Sequence, residues 1–345
     1  MKVLHTPLLY LLGLLFVMIV LTISITTGTV SISLRDLLEY VFTNQILPEL
    51  TKTILFEIRI PKSISAVSAG IALSVSGYIL QTLFRNPLAS SSSLGISSGA
   101  SLGVAFVMIG SSIGISTFST LSFLHSTSVI GAAIIGAFIT TMLILLLSLK
   151  IRSMTTMLLV GFMVGTICTA IVGIWQYISS PDQLQAFFLW SMGSLHLANL
   201  HQSMIFLLIT ICITFVIFIY SKQITILSLG EEFSKSFGIN VQRLRFLLLL
   251  SCSILAGCVT AFCGPIGFVG IIVPHIVRYS IHTSDSKKII PWVAICGASF
   301  MLICDSITSA LSHTFPLPIS LITSIIGVPI VLWILMTKSF YSTVS

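Results

Sequence analysis

SLGEEFSKSFGI, residues 228–239, is a short charged island between two apolar runs, near 203–221 and 244–263, each long enough to cross a bilayer. Ser228 with Glu231 three residues on has the pattern of a capping box. Glu231 and Glu232 fall in the first turn, where negative charge suits the helix dipole. Glu231 and Lys235 are spaced i,i+4, and Gly238 is placed to stop a helix at its C′ position. Leu229, Phe233 and Phe237 recur every four residues and form one apolar stripe. The expectation is a small amphipathic helix with two exposed aromatics. A helix lying on anionic lipid usually carries Lys and Arg on its polar face. One led by two glutamates suits a protein groove better.

The rest of the chain says what this island interrupts. Of 345 residues, 56% are hydrophobic and 7% charged, and the mean hydropathy is +1.12. A soluble domain carries about 25% charged residues, so the solvent for most of this chain is lipid. The net charge of +7 is then read by its distribution and gives no sign of nucleic-acid binding. Cys168, Cys212, Cys252, Cys258, Cys263, Cys296 and Cys304 lie inside apolar runs without a C-x-x-C pair. They read as small buried hydrophobes, with no metal site and no disulfide.

Apolar runs fall near 8–27, 63–84, 94–111, 128–149, 155–178, 203–221, 244–263, 266–281, 290–311 and 318–337. The fold class expected is an all-α polytopic membrane protein with about ten transmembrane helices in one domain, 1–345. The first run is too long for a signal-peptide core and no cleavage site follows, so it reads as a retained span. The third and eighth runs are short and Gly-rich. With both termini cytoplasmic, Lys2, Arg85, Lys150, Arg152, Lys222, Lys235, Arg243, Arg245, Arg278, Lys287, Lys288 and Lys338 lie inside. Arg35, Lys52, Arg59 and Lys62 then lie outside, within a 28–62 segment that also holds Asp36, Glu39, Glu49 and Glu57. The positive-inside rule selects this orientation and puts the island in the cytoplasm.

Four stretches together resemble one family. They are LGEEFSKSFGINVQRLRF around the island, RIPKSISAVSAGIALSVSGYILQTLFRNPLASSSSLGISSGASLG (59–103), GPIGFVGIIVPHIVR (264–278) and LPISLITSIIGVPIVLWIL (317–335). In this order they are similar to the FecCD or BtuC-like permeases of iron-siderophore, haem and vitamin B12 ABC importers. The resemblance implies a ten-helix type II importer bundle in a prokaryotic cell membrane. It implies two permease subunits, identical or paralogous, an ATPase dimer below and an extracytoplasmic substrate-binding protein above. The island then becomes the coupling helix, with Gly230, Glu231, Phe233, Phe237 and Gly238 as its ATPase-coupling residues. Arg59 and Lys62 of RIPK become the docking contacts for the binding protein; Lys62 stands where the family usually has Arg and offers no bidentate fork. Asn86, Pro87 and Leu88 after the second span, and Met154 and Thr155 in the loop 153–156, become gate candidates. A third outer basic contact of some relatives is matched here only by His313. The family's related five-helix halves find a faint echo in Arg59 before Ala69-Gly70 and Arg245 before Ala256-Gly257.

The chain lacks G-x-x-x-x-G-K-[ST], so nucleotide hydrolysis is assigned to another polypeptide and no cofactor is expected. The Gly-rich LGISSGASLG has no Lys after it and reads as close helix packing. His275 follows a proline in an apolar run with no second ligand at metal spacing, which indicates a structural role at a broken helix. Asp305, an acid within a span, reads as a polar contact inside the bundle. Gln81, Trp175, Gln176, Tyr177 and Trp190 are candidates for the path or its vestibule. The cargo expected is an iron(III)-siderophore, with haem or cobalamin as alternatives. A proton- or sodium-driven carrier is the competing class, disfavoured by the scarcity of intramembrane charge; a membrane enzyme lacks any workable catalytic set.

Overall fold

The computed structural model describes residues 6–28, 30, 32–33, 48–110, 125–148, 151, 153–311 and 317–336. Lys2, Arg35, Asp36, Glu39, Lys150, Arg152, His313 and Lys338 lie outside these. The described regular structure is helical. Each of the apolar runs of the sequence becomes a helix. They are α1 (Thr6–Thr26), α3 (Ile60–Phe84), α4 (Ile96–Ile109), α5 (His125–Ser148), α6 (Met154–Ile178), α8 (Leu200–Ile219), α11 (Val241–Cys263), α12 (Val269–Ile281), α13 (Ser286–Leu311) and α14 (Ile319–Met336). Helix α4 and helix α12 are short, as their sequences suggest. Pro291 and Pro329 lie inside α13 and α14.

Shorter pieces accompany these runs, and of them the sequence announced only the helix of the island. Helix α2 (Glu49–Thr53) runs through a π-helical turn, Ile54–Arg59, straight into α3. The continuous rod Glu49–Phe84 has 36 residues. At 1.5 Å per residue it is about 54 Å long, well beyond a hydrocarbon core of about 30 Å. The end of the charged 28–62 segment is therefore a helical extension of the second span rather than a loop. Helix α7 (Pro181–Ser191) starts at a capping box made by Ser180 and Gln183. Helices α9 (Ser221–Leu229) and α10 (Glu231–Ser236) make up the island and its approach.

Helix α3 is the axis of the bundle. It packs on α13, α11, α8 and α12, and almost every residue from Pro61 to Phe84 is buried. Lipid tails are as apolar as leucine, so helices in a membrane associate through close packing and polar contacts instead of hydrophobic collapse. That explains the small residues along this rod. A Cβ at Gly70 would strike the backbone of Gly297 on α13, and one at Gly77 would strike Gly270 on α12. Between these points Ser74 Oγ donates to the Val293 carbonyl at 3.0 Å. Tyr78 Oη donates to Ser286 Oγ at 2.8 Å, and the Arg278 guanidinium lies 5.1 Å from the Tyr78 ring centroid. The Gly-rich stretch 94–103 packs in the same way: Gly99 faces Thr140 and Gly136, and Gly103 faces Ala132, all on α5. Its reading as a packing stripe holds.

Gly77→Ala should lower the unfolding free energy in detergent by about 2 kcal/mol, the usual cost of forcing a group into a filled interior. Gly131, inside α5, faces open space, so Gly131→Ala should leave stability unchanged or raise it by up to about 1 kcal/mol. Equal midpoints for the two variants would show that α3 is not seated on α12 at this point.

Candidate functional site

The island is an elbow followed by a single helical turn and a half. Helix α9 ends at Gly230, whose φ of +140° and ψ of 151° lie where a side chain is strained. The chain then turns into α10, and Glu231 and Glu232 take its first turn. Ser234 is completely buried, and its hydroxyl reaches the Gly230 carbonyl at 2.6 Å and the Ile226 carbonyl at 3.2 Å. The second of these bonds ties α10 back to α9. Gly238, at φ +75°, stops α10. Its N–H donates to the Lys235 carbonyl at 2.9 Å and the Ile239 N–H to that of Ser234 at 3.1 Å, the paired bonds of a Schellman motif. Asn240 caps α11 at once by accepting from the Arg243 N–H at 3.0 Å.

Two expectations for the island are corrected. Ser228 does not cap α10; it lies within α9, and its hydroxyl donates to the Thr225 carbonyl at 2.6 Å. The positive-φ glycine takes the cap position instead. Glu231 reaches across to Arg245 on α11, with Nη2 to Oε1 at 2.6 Å, rather than down its own helix to Lys235. The apolar stripe is divided: Leu229 ends α9 before the Gly230 elbow, while Phe233 and Phe237 belong to α10 and its cap, and the three are 63%, 45% and 61% exposed. The two rings meet at 4.8 Å between centroids, tilted by 51°. A groove beside them is lined by Phe84, Arg85, Leu229, Gly230, Glu231 and Phe233. Arg85, in the left-handed conformation that ends α3, packs against Gly230. The last turn of the central rod thus touches the elbow directly.

At the opposite end of the bundle lies a cavity of about 760 Å³, with Met108, Ile130, Leu189, Trp190, Leu195 and Leu317 among its walls. Lys62 and Asp305 also line it. Their charges meet at 2.7 Å with side chains only 8% and 1% exposed. Ser309 also accepts from Lys62, and Ser24 Oγ donates to Asp305 at 2.8 Å. Asp305 is thus the internal polar contact that its sequence suggested, joining α1, α3 and α13. Arg59 is 5% exposed and donates to the backbone carbonyls of Ile25 at 3.4 Å and Val30 at 2.9 Å. Both basic side chains of RIPK are thus engaged within the chain. Burying an unpaired charge is expensive, so each finds its partners within the chain.

The remaining candidates fall apart spatially. Asn86 makes a turn, accepting from the Leu88 N–H at 2.9 Å, with Pro87 between them; Leu88 is exposed. Ser153 caps α6 by accepting from the Thr156 N–H at 3.3 Å, with Met154 and Thr155 in its first turn. His275 Nδ1 meets the Ile271 carbonyl one turn back at 2.5 Å, the structural role expected of it. Gln81 is buried and donates to the Gly270 carbonyl at 3.1 Å, so it belongs to the α3–α12 seam and not to a path. Trp190 is buried in the cavity wall, whereas Tyr177 is 91% exposed. No cluster of metal-ligating side chains occurs among the described residues.

Residues 15–337 match the FecCD transport family. The hemin transport permease of Yersinia pestis is 35% identical over 333 residues, 95% of this chain and 96% of that protein. The vitamin B12 import permease of Vibrio cholerae is 30% identical over 287 residues, 83% of each chain. In three dimensions the chain superposes with a TM-score of 0.83 on an inward-facing structure described as of metal-chelate ABC transporter type, at 27% identity and covering 95% of this chain and 99% of that one.

The Lys62–Asp305 pair makes a quantitative test of the mouth. Asp305→Leu strands a buried ammonium and should cost about 3–5 kcal/mol in detergent unfolding, whereas Lys62→Met with Asp305→Leu should recover most of it. A double variant as unstable as the single one would mean that the two charges do not meet.

Proposed function

Because the chain belongs to the FecCD transport family, the permeases of ATP-binding-cassette importers, we propose that the exposed Phe233–Phe237 foot on its Gly230 elbow is the part that docks in a cleft of a separate ATPase. The observation that carries this reading is the exposure of two touching aromatic rings on a helix that is itself fastened at both ends. An isolated exposed aromatic means little, but a rimmed aromatic pair on a rigid support suits a binding hot spot. The groove beside it, with Arg85 and Glu231 in its walls, offers both signs of charge around the apolar contact. Gly230 and Gly238 serve as the two backbone bends, and Glu231 faces inward to Arg245 rather than toward a partner.

On this reading the island faces the cytoplasm. Arg85, Lys222, Lys235, Arg243, Arg245, Arg278, Lys287 and Lys288 crowd that end, against Lys52, Arg59 and Lys62 at the other, which is the asymmetry of a cytoplasmic face. The chain itself is a translocation subunit without catalysis of its own. It pairs with a second permease and receives cargo from an extracytoplasmic binding protein at the cavity end. Arg59 and Lys62, engaged within the undocked chain, stand at that end as the docking contacts for that protein. The turns at Asn86–Leu88 and Met154–Thr155 act as the cytoplasmic constriction. The cargo is iron in an organic chelate; similarity to a hemin permease over nearly the whole chain supports haem beside the siderophores. Uptake of haemin, a ferric siderophore and cobalamin by cells with and without the gene separates these cargoes.

Phe233→Asp with Phe237→Asp should leave the protein inserted and folded, because both rings are exposed, yet abolish co-purification with its ATPase. Recovery of the ATPase at normal yield would remove the island from the docking surface.

A further inference from the structure

The docking reading explains the foot but not how force leaves it. Three attachments fasten the island to the bundle. The first is the Ser234 hydroxyl bond to the Ile226 carbonyl, which ties α10 to α9. The second is the packing of Arg85 against Gly230. The third is Arg245, which lies fourteen residues from its partner Glu231 and on a different helix. Arg245 is 7% exposed and sits on the buried face of α11 with Leu244, Leu248 and Leu249. That face continues into the surface by which α11 packs on α3 and α5. Without Arg245, α10 would meet α11 through the Gly238–Ile239–Asn240 bend alone, and a backbone bend can flex.

We propose that Arg245 is a positioning residue for energy coupling: its ion pair with Glu231 clamps the coupling turn to α11, so that displacement of the island moves α11 as one body with it. The inference rests on the docking role of the island. It differs from that role in where the residue acts, since Arg245 is buried and touches no docking partner. The geometry supports a clamp over a surface decoration. The Glu231 side chain is only about a third exposed and the arginine nearly covered, so the pair is shielded from the screening that empties most surface pairs of energy. Its charge-assisted bond at 2.6 Å belongs to the strong class.

Hydrogen exchange on the complex of this permease and its ATPase in nanodiscs tests it, with and without ATP and vanadate to trap the closed nucleotide state. In the wild type, trapping should change exchange in the island and in residues 241–250 together. In Arg245→Met the island should still respond, because its foot still docks, while the response of 241–250 falls by at least half. Arg245→Lys should restore part of it, and Glu231→Arg with Arg245→Glu should restore more than either single change. A merely structural arginine gives another pattern: exchange in 241–250 rises equally with and without nucleotide, and the difference between the two states is untouched. That pattern, or a full α11 response in Arg245→Met, overturns the clamp while leaving the docking reading intact. No response anywhere in the wild-type complex overturns both.

Discussion

Backbone-to-backbone contact at glycine is the constraint on which this bundle depends. Lipid removes the hydrophobic drive that would press helices together in water, so closeness must come from shape. At Gly70 against Gly297 and Gly77 against Gly270 the central rod touches two neighbours without an intervening side chain. Once the backbones lie this close, a short hydroxyl side chain can reach across, as Ser74 does to the Val293 carbonyl on α13. Packing therefore comes first, and the polar contacts of the interior follow from it. Ala72, Leu73 and Val75, buried between these points, fill the space that the glycines define.

The same order governs the charges. Lys62 and Asp305 lie on the two helices that the Gly70–Gly297 contact brings together. Arg278 and Tyr78 sit on helices joined through Gly77 and Gly270. Ionic groups at both ends of α3 are accommodated because neighbouring helices are near enough to answer them. An interior of bulky side chains would hold these charges farther apart and leave them costly.

Hydropathy made every long element legible, since lipid demands a run of apolar residues and little else looks like one. The island was legible as an exposed aromatic helix because Leu229, Phe233 and Phe237 share a four-residue period. What escaped was direction and partnership. The positive-inside rule places Arg59 and Lys62 on a side of the membrane but says nothing about whether they point outward or into the bundle. The signal that could have found the Lys62 pair was Asp305, an acid within a span that requires a cation nearby. Ser228 misled because a capping pattern is local, whereas the Gly230 elbow lets α9 run through that serine. Arg245 was read as one of the inside cations and given no partner, because its partner depended on a turn no periodicity encodes. The helical extension before Ile60 hid behind its own charges.

Rigid and yielding parts of the bundle separate along these lines. Lys62 lies in the first turn of α3 and Arg85 ends it against the elbow, so one rod spans from the cavity to the island. Shearing α3 against α13 would part a buried ion pair and separate two glycine backbones, and shearing it against α12 would break the Gly77 contact and the Arg278–Thr82 bond at 3.0 Å. Those helices are constrained to move together. Helix α6, only 28% buried along its apolar length, meets the bundle mainly through α4. Freedom in this fold therefore lies at its periphery, where α6 and α7 carry large exposed faces with Phe162, Met163 and Phe188 outward.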